Sequence, residues 1–308
     1  MRFSLRQLEV FAAVARHESV SRAAEELAMS QSAASTALGE LERMHARPLF
    51  DRVGKSLRLN EVGSLLLPAT VELLDHAREI ENVLEGRSGF GTLKIGATLT
   101  IGNYLATLIV ADYLQQHTDS RVELRVNNTA TIIEQICRFE LDLGLIEGDC
   151  LHPDLVATPW VDDELTVFCA PSHRLAGRET VALDELRDEA WIMREVGSGT
   201  RQTLDQALLH NAFPVHERLV LEHTEAIKRA VESGLGIGCI SRLALREAFR
   251  RGSLTPIKVP ELDLQRRFHF VWHTRKHQTR GLRAFVERCR NFTAGARRSD
   301  EINLPYIP

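Results

Sequence analysis

The stretch that decides the fold runs from Ser19 to Gly63: SVSRAAEELAMSQSAASTALGELERMHARPLFDRVGKSLRLNEVG. Val20, Ala23, Ala24 and Leu27 recur at three-to-four spacing, which predicts one short helix with a single buried face. A break follows at Met29-Ser30. Ser30 is a suitable N-cap for a second helix from Gln31 to Glu42, because its hydroxyl can accept from the unpaired amides of the first turn. In that helix Ala34, Leu38 and Leu41 share the inner face. Ser30, Gln31, Ser32, Ser35 and Thr36 are left at its outward N-terminal end, all small or amide-bearing side chains able to approach base edges. A basic loop with a strand-like end follows, and then the start of a long helix. This is the layout of a winged helix-turn-helix.

The run AAEEL, SQSAAS, LE, PLFDR and LRLNEVG, in that order and without gaps, resembles the N-terminal domain of the LysR-type transcriptional regulators. The resemblance implies that the helix from Gln31 to Glu42 enters the major groove of double-stranded promoter DNA. It also implies that the loop from Asp51 to Arg58 touches neighbouring phosphates through Arg52, Lys55 and Arg58. Two positions depart from the family pattern: Ser32 stands where proline is usual, and Thr36 where arginine is frequent. The base preference therefore does not follow from the resemblance.

Working outward, the 308 residues favour two or more domains over one. The formal net charge of -4 suits a DNA-binding chain only once it is resolved along the sequence. Arg43, Arg47, Arg52, Lys55 and Arg58 cluster after the second helix, and most of the surplus acid lies beyond residue 60. A local basic edge of this kind predicts affinity for DNA that falls as salt rises. No apolar run is long enough to span a membrane, and Met1-Arg2-Phe3-Ser4 lacks the layout of a signal peptide, so the chain is expected in the cytosol. The five cysteines, Cys137, Cys150, Cys169, Cys239 and Cys289, are scattered without CxxC spacing. That argues against a disulfide framework and a structural zinc site, while leaving a thiol redox sensor as the alternative to a small-molecule sensor. No metal, cofactor or catalytic site is expected. His269, His273 and His277 would share a face only on a helix, and Arg266 to Trp272 alternates as a strand. No nucleophile elbow, Walker loop or HExxH motif occurs.

Upstream, Ser4-Leu5-Arg6-Gln7 fits a capping box, and Leu5, Leu8, Phe11, Ala12 and Ala15 form the expected stripe of a first helix. Arg6 and Arg16 read equally as surface charges or phosphate ligands. Downstream, Asn60 caps a long helix to about Glu85. Its residues Val62, Leu66, Ala69, Leu73, His76, Ile80 and Val83 have the spacing of a two-helix seam, with Pro68 inside it and His76 as a polar register feature. In the family this linker helix pairs with its twin, which implies a homodimer or homotetramer. Glu85 to Gly91 reads as a hinge. Beyond it, strands and helices alternate as in parallel α/β sheets, with crossovers near Trp160-Val161 and Gln265-Arg266. The expected fold class is α/β, in five parts: residues 1–60, a winged helix-turn-helix; 61–88, the linker helix; 89–161 plus 266–296, lobe I; 162–265, lobe II; 297–308, a tail. The two lobes resemble the periplasmic-binding-protein type effector domain of the LysR family, which implies a ligand in the cleft between them.

Ligands of open α/β sheets meet the carboxyl ends of strands and the N-termini of the following helices. Thr98, Thr100, Ile101 and Gly102 occupy such a turn in the first lobe. Gly197, Ser198, Gly199, Thr200 and Arg201 occupy one in the second, and read as a compact anion nest in which glycines let amides converge and Arg201 adds a guanidinium. Glu147 ends a strand nearby and would repel a doubly charged anion unless protonated or turned away. Thr224 opens another helix as a hydroxyl donor or a cap. Together GATLTIGNYLA, DLGLIEG, REVGSGTR and TEAIKRAVESGLGIGCISRLA resemble the CysL-like and FinR-like branch linked to sulfite reductase and sulfur metabolism. That branch implies sulfite or sulfate as the anionic effector.

Overall fold

The computed structural model describes residues 2–54, 56–85 and 90–304. The expectations for Lys55 and for Gly86, Arg87, Ser88 and Gly89 of the hinge fall outside them. Helix α1 (Leu5–His17) starts at the Ser4 capping box, with the Ser4 hydroxyl accepting from the Gln7 amide and the Gln7 side chain accepting from the Ser4 amide. It is buried on more of its circumference than the predicted stripe. Leu8 and the run Val10, Phe11, Ala12, Ala13 and Val14 are all inside, whereas Leu5 is exposed. Arg6 and Arg16 are tied internally, Arg6 to Glu9 and the Leu27 carbonyl, Arg16 to Glu26.

Helices α2 (Val20–Glu26) and α3 (Gln31–His45) are capped by Ser19 and Ser30. The wing is the hairpin of β1 (Phe50–Val53) and β2 (Ser56–Leu59), in which Arg52 pairs with Leu57 and Asp51 with Arg58. The Asn60 side chain accepts from the Gly63 amide and starts α4 (Glu61–Leu84), which runs on through Pro68. Gly63 is required there: a Cβ would lie 2.2 Å from the Leu49 carbonyl oxygen.

Of the seam expected along the long helix, Ala69, Leu73, His76, Ile80 and Val83 are exposed. Leu67, Val71 and Leu74 pack into the core of the N-terminal domain, and Val62 and Leu66 are drawn against that core as well. Leu65 and Ala69 and, in the C-terminal half, Leu73, Ile80, Val83 and Leu84 present bare apolar side chains.

The remainder is one continuous sheet in two halves. Its elements are β3 (Thr92–Thr98), α5 (Leu99–Ile101), a π-helical segment Gly102–Ala106, α6 (Thr107–Gln116), β4 (Arg121–Asn127), α7 (Thr129–Cys137) and β5 (Leu143–Glu147). After these come β6 (Leu155–Cys169), β7 (Ala190–Arg194), α8 (Gly199–His210), β8 (His216–Leu221), α9 (Thr224–Glu232), β9 (Ile237–Ser241), α10 (Arg242–Arg251), β10 (Thr255–Ile257), β11 (Gln265–His273) and α11 (Arg280–Phe292). The order across the sheet is β4-β3-β5-β11-β6-β9-β7-β8. Pairing is parallel among β3, β4 and β5 and among β7, β8 and β9, and antiparallel where β11 and β6 join the halves. Phe268 and Phe270 of β11 sit in the core of lobe I, while Leu165, Val167 and Cys169 of β6 sit in that of lobe II. The two strands therefore carry the hinge.

Two sequence expectations change here. Strand β6 begins at Leu155 rather than after Asp162, and Pro159 lies inside it. Pro159 faces His269 where the β6–β11 register shifts, a place where a missing amide does not interrupt a regular ladder. Residues 297–304 are also docked on the effector domain. Ser299 and Ile302 are buried, the Ser299 hydroxyl donates to Asp163, and Arg246 donates to the Asp300 and Ile302 carbonyls.

Candidate functional site

Two surfaces are built by these elements. The first is the N-terminal end of α3 with the wing. The Ser30 hydroxyl accepts from the Ala33 amide and lies 3.0 Å from the Ser32 hydroxyl, so the two serines share one short network. Ser30, Gln31, Ser32, Ser35 and Thr36 are exposed together on one end of α3, while Ala34, Leu38 and Leu41 hold its other face in the core. Arg52 and Arg58 are exposed on the hairpin. The wing's position relative to α3 is set by Glu42, whose carboxylate accepts the Leu49 amide at 2.7 Å, and by Asn60, whose amide donates to the Pro48 carbonyl. The result is an exposed, donor-rich helix end together with a hairpin that carries exposed guanidinium groups, the kinds of group that base edges and phosphates require.

The second surface lies between the lobes, where the first turns of α5 and α8 converge. Thr98, Thr100 and Ile101 are buried, and Gly102 is packed so closely that a Cβ would lie 2.7 Å from the Val126 side chain. Ser198 caps α8, and Gly197 adopts φ +91. The lobes are zipped along this line. The Ala130 amide donates to the Gly197 carbonyl at 3.0 Å, and the Gly199 amide donates to the Thr129 hydroxyl at 3.1 Å. A Cβ on Gly199 would meet the Glu147 carbonyl oxygen at 2.3 Å, so glycine is needed for the lobes to approach.

Glu147 is at the centre of the cleft. Its carboxylate accepts from the Thr100 amide (2.9 Å) in lobe I, from the Thr200 hydroxyl (3.1 Å) in lobe II, and from Arg266 Nη1 (2.9 Å) at the hinge. Burial by itself would raise its pKa. Arg266 and then Arg194, with hydrogen bonds from Thr100 and Thr98, more than offset that, and the net direction is down. The side chain is thus a buried anion, neither protonated nor turned out of the cleft. It occupies the place the sequence assigned to an external one. Arg266 is held in turn by Asp163 at 2.6 Å, and Asp163 accepts from the Ser241 and Ser299 hydroxyls.

Arg201, expected to reach into the nest, does not. Its guanidinium is bound to Asp205, to Glu217 and to the Arg194 carbonyl on the outer side of α8. The cation of the site is Arg266, which the sequence reading placed only as a crossover. A buried arginine in a strand has no local signature. Thr224 is buried at the start of α9, and its hydroxyl, like Arg266 Nη2, has no hydrogen-bond partner among the described residues. A cleft of about 350 Å³ opens between the lobes, lined by Leu99, Asn103, Asn128, Glu195 and His223 among others, while Arg266 lines a separate cavity of about 440 Å³ with Gly148, Asp163, Gln202 and Thr203. Tyr104 of lobe I donates to Glu225 at 2.5 Å and accepts from Lys228 at 3.3 Å, a further tie between lobes.

With both surfaces in view, comparison with known proteins is decisive. A profile described as "Bacterial regulatory helix-turn-helix protein, lysR family" matches residues 5–64, and one described as "LysR substrate binding domain" matches residues 86–294. The chain belongs to the LysR family. This LysR-family protein is a DNA-binding transcriptional regulator with an effector-binding domain, and not an enzyme. It is 41% identical over 289 residues to the HTH-type regulator YeiE of Escherichia coli K12, described as uncharacterized, covering 94% of this chain and 98% of that protein. Its fold is similar to that of a full-length OxyR variant of Pseudomonas aeruginosa, with a TM-score of 0.73 at 20% identity over 94% of this chain and 95% of that one. It is also similar to the regulatory domain of Synechocystis CcmR in complex with 2-PG, with a TM-score of 0.63 at 29% identity over 67% of this chain and 99% of that one. The Bacillus subtilis regulator CysL stands further off, at 26% identity over 281 residues, 91% of this chain and 94% of that protein. YeiE is therefore much more similar to this LysR-family regulator than CysL is. Among its described residues, no helix is long and apolar enough to cross a membrane.

Proposed function

We propose that the regulator acts in the cytosol as a homodimer or homotetramer on promoter DNA, and that a small anion, sulfite or sulfate, controls it from the cleft between the lobes. The observation that carries this reading is Glu147: a buried carboxylate held by donors from both lobes and the hinge marks a place built to stabilise negative charge. An arriving oxyanion competes with Glu147 for the Thr100 amide, the Thr200 hydroxyl and Arg266. Arg266 Nη2 is a buried donor left over for a further oxygen. The CcmR regulatory domain, which has the same fold, was solved in complex with a small molecule, 2-PG, in keeping with a ligand in this domain. Exchange of an internal carboxylate for an external anion alters what joins the lobes. A ligand shifts an equilibrium only through its different affinity for the two arrangements. A redox reading draws no support from the thiols. Burial pushes Cys169 up to about 11 and Cys239 up to about 12, and Cys137, Cys150 and Cys289 also move up, whereas a sensing cysteine needs a lowered pKa.

Melting of the full chain with sulfite, sulfate, thiosulfate, phosphate and small carboxylates tests the proposal. Sulfite or sulfate at 100 times its Kd should stabilise by about 2.7 kcal/mol, and the gain should vanish in Thr200→Ala. A chain that melts at the same temperature with every anion overturns the effector reading and leaves the family assignment intact.

A further inference from the structure

On the exposed flank of α4, Glu72 and His76 are four residues apart and so share a face, and His277, in the segment after β11, is laid against them. The rings of His76 and His277 lie with centroids 3.9 Å apart at 42°. One ligand atom each from Glu72, His76 and His277 falls within 4.8 Å of the others. The backing is firm on both sides of His277. Lys276 is buried between Asp75 of α4 (2.6 Å) and Asp142 of lobe I (2.7 Å), and the Arg280 amide donates to Glu79 Oε1 at 2.9 Å. The other Glu79 oxygen lies 3.4 Å from His277 Nε2. His76, expected as a polar feature of the dimer seam, instead faces a histidine of its own effector domain.

We propose that Glu72, His76 and His277 bind one divalent transition-metal ion of the Zn2+ type, fastening the linker helix to the effector domain. Two imidazole nitrogens and one carboxylate oxygen are the donor set of zinc sites that keep a fourth position open, with bonds of about 2.0–2.2 Å. Such bonds require the three ligand atoms to draw in by about 1 Å, a motion within reach of two exposed side chains on α4. Mg2+ and Ca2+ are disfavoured because they take oxygen ligands. The ion would join the helix that begins beside the DNA-reading head to the strand β11, whose other end carries Arg266. The bland alternative is a pair of surface histidines in contact, with no affinity beyond that of any histidine-bearing surface.

The full-length chain, stripped of metal with a chelator, is titrated with Co2+ and followed by visible absorption, and Zn2+ is then used to displace it. The expected result is one Co2+ per chain with the intense bands of a four-coordinate ion, bound at least tenfold more weakly by His76→Ala, His277→Ala and Glu72→Gln. Zn2+ should raise the melting temperature of the wild type and not that of Glu72→Gln. Glu72 is exposed, so its variant should fold as the wild type does, which keeps the test valid even where His277→Ala is unstable. A wild type that binds no Co2+ overturns the proposal, and so does binding that survives undiminished in Glu72→Gln and the His76→Ala/His277→Ala double variant.

Discussion

Glu147, Arg266 and Asp163 form a charge cluster in which each side chain is at most 2% exposed. Breaking such a buried pair from one side costs about 3–5 kcal/mol because the other charge is stranded. Glu147→Ala should therefore lower the melting temperature of the anion-free chain by several degrees, and at the same time strengthen binding of an added oxyanion, about tenfold by calorimetric titration, because the internal competitor is gone. The pH dependence follows from the direction of the shift. Glu147 is depressed on folding, so its contribution is complete above the ordinary glutamate value of about 4.3 and is lost as pH falls through the lower folded value. Melting curves from about pH 7 down to about pH 3 should show a shallower acid decline in Glu147→Gln than in the wild type. The residue-level chemistry of the cleft was half legible. Thr98, Thr100, Ser198 and Thr200 lie at the helix starts where the sequence put them, because strand-to-helix turns place donors there. Arg201 was misjudged because Asp205 and Glu217 compete for it from outside the cleft.

At the level of elements, capping chemistry made the N-terminal domain readable in advance. Ser4, Ser30 and Asn60 each accept the amide three residues on, and such bonds depend only on near neighbours in the chain. The exposed guanidinium groups of the wing lead to an electrostatic expectation. Arg52→Ala and Arg58→Ala should each weaken operator binding nearly uniformly across sequences and reduce the slope of log affinity against log salt by about 1. Fluorescence anisotropy over a salt series measures this, and an unchanged slope would remove the wing from the phosphate contacts. The linker helix spans Glu61–Leu84, and of its expected seam Val62 and Leu66 pack against the N-terminal core. Its N-terminal half spends Leu67, Val71 and Leu74 on its own domain, leaving Leu73, Ile80 and Val83 for a twin. Leu73→Asp/Ile80→Asp should shift the chain to monomer in sedimentation while the melting temperature of its own domains is retained.

Across the whole molecule, the DNA-binding part and the effector domain are joined by more than a hinge. Lys276 spans from Asp75 on α4 (2.6 Å) to Asp142 in lobe I (2.7 Å), and its side chain is 5% exposed. Burial alone would lower its pKa; Asp142 and Asp75 raise it overall, so the tie persists until pH rises through a value above the usual lysine range. Lys276→Ala strands two carboxylates and should destabilise by about 3–5 kcal/mol. Hydrogen exchange should show the loss concentrated in the middle of α4 and in residues 274–279, and uniform exchange in wild type and variant would show that the bridge does not couple the two parts.

By itself the sequence determined what is local and periodic: the helix caps, the helix-turn-helix and its wing, the alternation of strands and helices, and the family to which they belong. Only the tertiary structure decided which charges meet. Glu147 with Arg266, Ser299 with Asp163, Lys276 with Asp75 and His76 with His277 are each separated by more than a hundred residues. A cap is chosen among a few neighbouring amides, whereas a buried charge takes whichever partner the packed sheet and docked C-terminal segment bring into hydrogen-bonding reach, and no spacing along the chain encodes that distance.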